Sequence, residues 1–246
     1  MNDCDRPRSA ARALVLIVPL VLVAGGCSNA DKARPEPARP GRSTRPAAPS
    51  TRPAVPSTAP AEAGWKSLFD GKTLGNWRVS DFGGHGEPRV ENGTLVIPDG
   101  VGLSGVTWKG EPPFKMGYEI SLEAQRVSGG DFFCGLTFPV GDSHASLVLG
   151  GWAGTLCGIS SIDGEDAAHN ETTTFQEIEK GRWYRVRVRV VPNRLQAWFD
   201  DKQIADVNTE GKKIDVRADI SEAKPLGIST WQTTGAVREI KWREVR

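Results

Sequence analysis

Residues 183–191 read WYRVRVRVV, and the alternation in this stretch decides the fold. Val186, Val188 and Val190 fall on one side of an extended chain, and Arg185, Arg187 and Arg189 fall on the other. A period of two with one apolar and one charged face is the mark of a half-buried strand. Residues 193–206, NRLQAWFDDKQIAD, follow directly, and their two apolar runs flank Asp200, Asp201 and Lys202 as the arms of a hairpin would. YEISLEA, residues 118–124, repeats the pattern, with Tyr118, Ile120, Leu122 and Ala124 opposed to Glu119, Ser121 and Glu123.

Further short runs between glycine-rich turns predict strands near 76–80, 93–98, 103–109, 131–138, 145–151, 155–161, 174–179, 226–231 and 237–245. No helical period emerges. So many strands, each with one polar face, require two sheets packed face to face, an all-β sandwich. The 28 Gly, 17 Pro and 8 Trp agree with a turn-rich β protein.

Outside this region the composition changes. Arg6, Arg8 and Arg12 precede ALVLIVPLVLVA at 13–24, followed by Gly25, Gly26 and Cys27. A charged start, a short apolar run and small residues predict an export signal over 1–27. GGCS resembles the lipobox of bacterial lipoproteins, with Ala24 where Leu is usual, which implies lipidation of Cys27, a membrane anchor and an extracytoplasmic location in the cell envelope. Residues 28–63 are Pro, Ala, Ser, Thr and Arg with the heptads STRPAAP, STRPAVP and STAPAEA, the composition of a disordered tether. The globular domain is expected over 64–246. Cys4 lies in the signal, leaving Cys134 and Cys157, read either as a disulfide or as two unpaired core cysteines. A net charge of +1 argues against a nucleic-acid-wrapping surface.

Within 64–246 four blocks stand in order: SLFDGKTLGNW (67–77), PRVENGTLVI (88–97), MGYEISLEAQRVSGGDFFCGLTF (116–138) and KGRWYRVRVRVVPNRLQAWFDDKQIAD (180–206), closed by LGISTWQTTGAVREIKWREV. Together they resemble the 3-keto-disaccharide hydrolase family, whose fold is similar to that of concanavalin A-like lectins and glucanases. The resemblance implies a jelly roll with a sugar-sized groove on its concave sheet and cleavage of glycosides oxidised at C3. A C3 ketone acidifies the C2 hydrogen, so a base can take it, the enolate can be stabilised electrostatically, and the C1 substituent can leave before water adds. The chain departs from the family where active members carry Glu and Gln. The strand SHASLVLGGWAG offers only His144 and Ser146 there.

The candidate bases are therefore Asp131, Glu171 and His144, in that order, with Asn170 beside Glu171 before the next strand. Trp152 and Trp231 are candidate stacking platforms for a sugar ring, whereas Trp77, Trp108, Trp183, Trp198 and Trp242 sit in alternating strands and read as core. Glu119 and Glu123 fit a solvated sheet face as well as a groove, and no paired-carboxylate glucanase strand occurs. SIDGEDAAHNETTTF (161–175) fails the EF-hand rule, since the sixth position from Asp163 is Ala168, and His169 has no zinc partner in the loop. No cofactor and no metal ligand set is read, and a divalent cation is left open. The expected partner is an oligosaccharide or polysaccharide, cleaved by an enzyme or held by a non-catalytic lectin-like module; an envelope structural domain without a ligand is the third reading.

Overall fold

The computed structural model describes residues 64–246. The expected signal, Cys27 and the tether lie outside the described residues. Strands β1 to β5 are Lys66–Ser67, Trp77–Val79, Arg89–Glu91, Thr94–Ile97 and Leu103–Trp108. Strands β6 to β10 are Tyr118–Gly129, Cys134–Val140, Ser143–Gly151, Leu156–Ser160 and Thr174–Phe175. Strands β11 to β15 are Trp183–Val191, Arg194–Phe199, Lys202–Asn208, Gly227–Trp231 and Thr233–Glu244, and a 3-10 helix covers Ala218–Ala223.

They form two antiparallel sheets, as the alternation predicts. An eight-stranded sheet runs β13-β12-β11-β6-β15-β4-β3 with β1 beside β15, and a seven-stranded sheet runs β10-β9-β8-β7-β14-β5-β2. Ile120, Leu122, Val186 and Val188 of the first sheet meet Leu136, Phe138, Leu147 and Ile228 of the second in one buried core. Trp77 and Trp108 pack edge to face in this core at 5.2 Å. The hairpin between β12 and β13 turns at Asp200 and Asp201, with Phe199 opposite Lys202. The 3-10 helix, β1 and β3 carry too few residues for a period and are not legible as elements in the sequence.

The two outer faces differ in kind. On the eight-stranded sheet the outward residues are charged and interlocked. Glu119 is only 2% exposed, held between Arg187 at 3.2 Å and Arg243 at 2.7 Å. Trp183 and Trp198 are not core residues: they lie on this outer face beneath the guanidinium groups of Arg238 and Arg187, at 4.1 and 3.7 Å. Their alternation puts them opposite the valines, which the pattern around them already required.

The seven-stranded sheet is buried on both faces at β5, β7 and β9. Its outward positions are small. Cross-strand register aligns Ser160, Ser146, Thr137, Gly227 and Thr107 in one row and Gly158, Val148, Gly135, Ser229 and Gly105 in the next. Directly opposed residues share a face, so these rows form a floor of hydroxyls and glycines. The small size admits overlying segments: a Cβ on Gly227 would lie 2.4 Å from the carbonyl of Ala223 in the 3-10 helix. The same face is covered over β9 by the loop 161–173, where a Cβ on Gly158 would come within 3.1 Å of Thr172.

Candidate functional site

Between these overlying segments a cleft of about 230 Å³ opens onto the small-residue floor. Ser146, Ser160 and Gly135 form its base, Asp131 and Trp152 one wall, Arg217 and Asp219 another, and Trp231 with Leu103 an apolar side.

Asp131 stands just ahead of β7. Its Oδ1 accepts the main-chain N–H of Phe132 at 2.7 Å, and its Oδ2 accepts that of Ala153 at 3.2 Å. The Ala153 amide belongs to a turn closed by the N–H of Gly154 on the carbonyl of Gly151 at 3.1 Å. Both central residues are left-handed, Trp152 at φ 49° and Ala153 at φ 68°. Neither residue type favours that region, so the surroundings must hold it. Asp131 does so from one side and Arg126 from the other. Arg126 is 5% exposed and donates through Nη2 to the carbonyls of Gly150 at 3.1 Å and Gly154 at 2.7 Å. Burial lowers the pKa of this guanidinium, and the nearby Asp131 carboxylate opposes the shift. The clamped turn presents Trp152, 43% exposed, at the rim.

The opposite wall is built by ion pairs. Arg217 forks onto Asp219, with Nε and Nη2 each 3.1 Å from a carboxylate oxygen, and reaches Asp166 through Nη1 at 3.0 Å. Asp166 also contacts His169 at 2.7 Å. Burial would raise its pKa, but His169, the Ala168 amide and Arg217 together hold it below the ordinary carboxylate value.

The cleft thus gathers Asp131, Trp152 and Trp231 from three separate segments, and leaves His144, Asn170 and Glu171 out. His144 lies on the same face of β8 as Ser146, two residues away, but opens into a different depression with Glu111, Lys115 and Lys224. Burial, then the Lys224 charge, lowers its pKa and favours the neutral imidazole. The amide of Asn170 is consumed in closing its own loop and tying it to β9. It donates to the carbonyls of Ile159 and Asp166, both at 2.8 Å, and accepts the N–H of Thr172 at 2.9 Å. Glu171 is exposed and pairs with Lys212. Of the residues expected to share one groove, Asp131, Trp152 and Trp231 line this cleft and the other three do not. Arg217, Asp219 and Ser160 were not legible: VRADIS and GISS carry no motif, and only the fold brings them together.

The disulfide alternative is also corrected. Cys134 and Cys157 are both free. Each faces Leu149 of β8 from opposite sides, and two strand spacings, roughly 10 Å, exceed the reach of a disulfide. Burial raises their pKa values, to about 12 for Cys134 and about 11 for Cys157.

A resident divalent cation does not fit the cleft. Asp219 already holds Arg217, Asp131 holds main-chain amides, and among the described residues no three His, Cys, Asp or Glu side chains converge.

A family model described as 3-keto-alpha-glucoside-1,2-lyase-like domain matches residues 64–246. The chain belongs to this family. As a 3-keto-alpha-glucoside-1,2-lyase-like domain it is a carbohydrate-related protein. No curated protein matches it significantly.

Solved structures with a similar fold include a protein of Parabacteroides distasonis described as a proposed glycosyl hydrolase, at 14% identity and TM-score 0.48, covering 74% of this chain and 94% of that one. The carbohydrate binding module CBM66 from Bacillus subtilis is 12% identical at TM-score 0.45, covering 69% and 96%. The Crh5 transglycosylase in complex with NAG is 8% identical at TM-score 0.49, covering 74% and 84%. Among the described residues of this lyase-like domain no helix is long and apolar enough to cross a membrane.

Proposed function

We propose that this protein hydrolyses 3-keto-glycosides at the Asp131 cleft, by elimination and then hydration, outside the cytoplasm and tethered through Cys27. The observation that carries the reading is the convergence of the Asp131 carboxylate and two tryptophans, Trp152 and Trp231, on a floor of hydroxyls. The family match supports the substrate class, and the N-terminal 63 residues support the location.

Asp131 takes the C2 proton of the keto ring. The electrons of that C–H bond pass into an enolate whose negative charge rests on the C3 oxygen. As the C3 carbonyl re-forms, C1=C2 forms and the C1–O bond breaks, so that the leaving oxygen departs with the pair and is protonated. Water then adds across C1=C2, hydroxyl to C1 and proton to C2. Trp152 and Trp231 hold the apolar faces of the ring. A cleft below the roughly 300–1,000 Å³ of drug-sized sites suits one ring at a time, with the rest of an oligosaccharide or polysaccharide outside it.

One observation favours the rival reading, a lectin-like module. Both oxygens of Asp131 already accept main-chain amides, so the carboxylate has a structural use without catalysis. Turnover in D2O separates the two. Elimination and hydration place deuterium at C2 of the released sugar. Release without deuterium contradicts the mechanism, and binding without release establishes the lectin.

A further inference from the structure

Ser160 is the last residue of β9, in the outward row with Ser146 and Thr137. The other hydroxyls of that face are partnered. Thr137 and Ser146 share a hydrogen bond at 2.7 Å, Thr107 donates to the carbonyl of Glu222 at 2.7 Å, and Ser229 reaches that of Gly135 at 3.3 Å. Ser160 is 2% exposed, lines the cleft, and its Oγ has no hydrogen-bond partner among the described residues. A buried hydroxyl without a partner is destabilising, and in a native protein it calls for an explanation, of which a water, a ligand or a reaction that uses it are the usual ones.

We propose that Ser160 is a catalytic residue of this cleft, donating its Oγ–H to the C3 oxygen of the bound 3-keto ring and stabilising the enolate. This rests on reading the cleft as the site of base-assisted elimination. The serine proton stays on Oγ throughout. The C2 proton goes to Asp131, and the electron pair it leaves behind is carried on the C3 oxygen until the C1–O bond breaks. A donor already in place, away from water, needs no reorganisation when that charge develops.

The test compares the full chain with its Ser160→Ala and Ser160→Cys variants in three measurements: kcat on a 3-keto-glucoside, the dissociation constant for the unoxidised parent glucoside, and the thermal midpoint. Removing such a donor is expected to lower kcat about 10²-fold, with parent binding unchanged. The thermal midpoint should hold or rise, because the alanine deletes an unpaired buried hydroxyl. The cysteine, close in volume but a weak donor, should lose kcat as well. Unchanged kcat in both variants overturns the assignment, and so does a fall in midpoint that accounts for the lost activity in both. A wild-type chain that releases no sugar from the keto-glucoside overturns the hydrolase reading and this one with it, whereas an active wild type with an equally active alanine variant overturns only the role of Ser160.

Discussion

The carboxylate of Asp131 accepts the main-chain N–H of Ala153 at 3.2 Å, which joins the start of β7 to the turn that carries Trp152. One acidic side chain therefore does two things: it faces the cleft, and it fixes the left-handed turn whose tryptophan forms the rim. Asp131→Ala should lose about 1 kcal/mol of stability and make Trp152 more accessible. Asp131→Asn, which keeps an acceptor oxygen, should lose less. Denaturant unfolding and acrylamide quenching, each read against Trp152→Phe, check this.

Arg126 holds the same turn from beneath. Arg126→Met strips the donor from the carbonyls of Gly150 and Gly154 and should cost about 2 kcal/mol. Gly150→Ala should be worse tolerated than its exposure suggests, because its Cβ would lie 2.2 Å from Arg126 Nη2 at a φ of 78°. Unfolding midpoints of the two variants measure both effects.

On the opposite sheet Glu119 is buried between arginines and far from the cleft chemistry. Glu119→Gln leaves Arg187 and Arg243 without their shared counter-charge and should cost about 2 kcal/mol, since both guanidinium groups keep access to water. Sugar binding by the folded fraction should not change, which isothermal titration reports directly.

The loop SIDGEDAAHNETTTF (161–175) separates structural from functional polarity. Asn170→Ala should destabilise the protein by about 2 kcal/mol, since its amide joins the carbonyls of Ile159 and Asp166 to Thr172. Glu171→Gln should leave both stability and activity near wild type. Loss of turnover in Glu171→Gln with a normal midpoint would return that residue to the site.

Two groups near the seven-stranded sheet contribute to the acid side of the stability profile. The pKa of His144 is lowered in the folded state by burial and Lys224, so the unfolded chain binds that proton first. Its contribution is intact above the ordinary histidine value, about 6.5, and is lost as pH falls toward the folded value. Asp166, held low by His169, Ala168 and Arg217, contributes stability that is present above about pH 4 and lost as pH falls through its lower folded value. Thermal midpoints from pH 7.5 to 3, with His144→Gln flattening the upper part of the decline, test both signs.

How much of this was legible follows from what a local pattern can encode. The alternation in WYRVRVRVV determines which face of β11 is buried, and the Asp-Asp-Lys break determines the hairpin, because both depend on near neighbours. Asp131, Trp152 and Trp231 stood out as a carboxylate after a Gly-Gly turn and as tryptophans beside glycines or at a strand end. Arg217, Asp219 and Ser160 did not, since their meaning depends on the 3-10 helix and β9 lying over and within the same floor. A local signal for that floor did exist. CGLT, GGW, CGIS and GIST all place glycine or a hydroxyl at outward positions, where a solvated sheet would carry longer polar side chains. Asn170 and Glu171 misled for the opposite reason: a crowded polar loop is as often tied to itself as to a ligand.

The measurement closest to the central claim is sugar release by the full chain from a 3-keto-glucoside and from its unoxidised parent, for wild type and Asp131→Asn in parallel. The account predicts release from the keto form alone, reduced at least about 10²-fold in Asp131→Asn with the fold retained. Equal release by the folded Asp131→Asn variant, or release from the unoxidised parent, would contradict it.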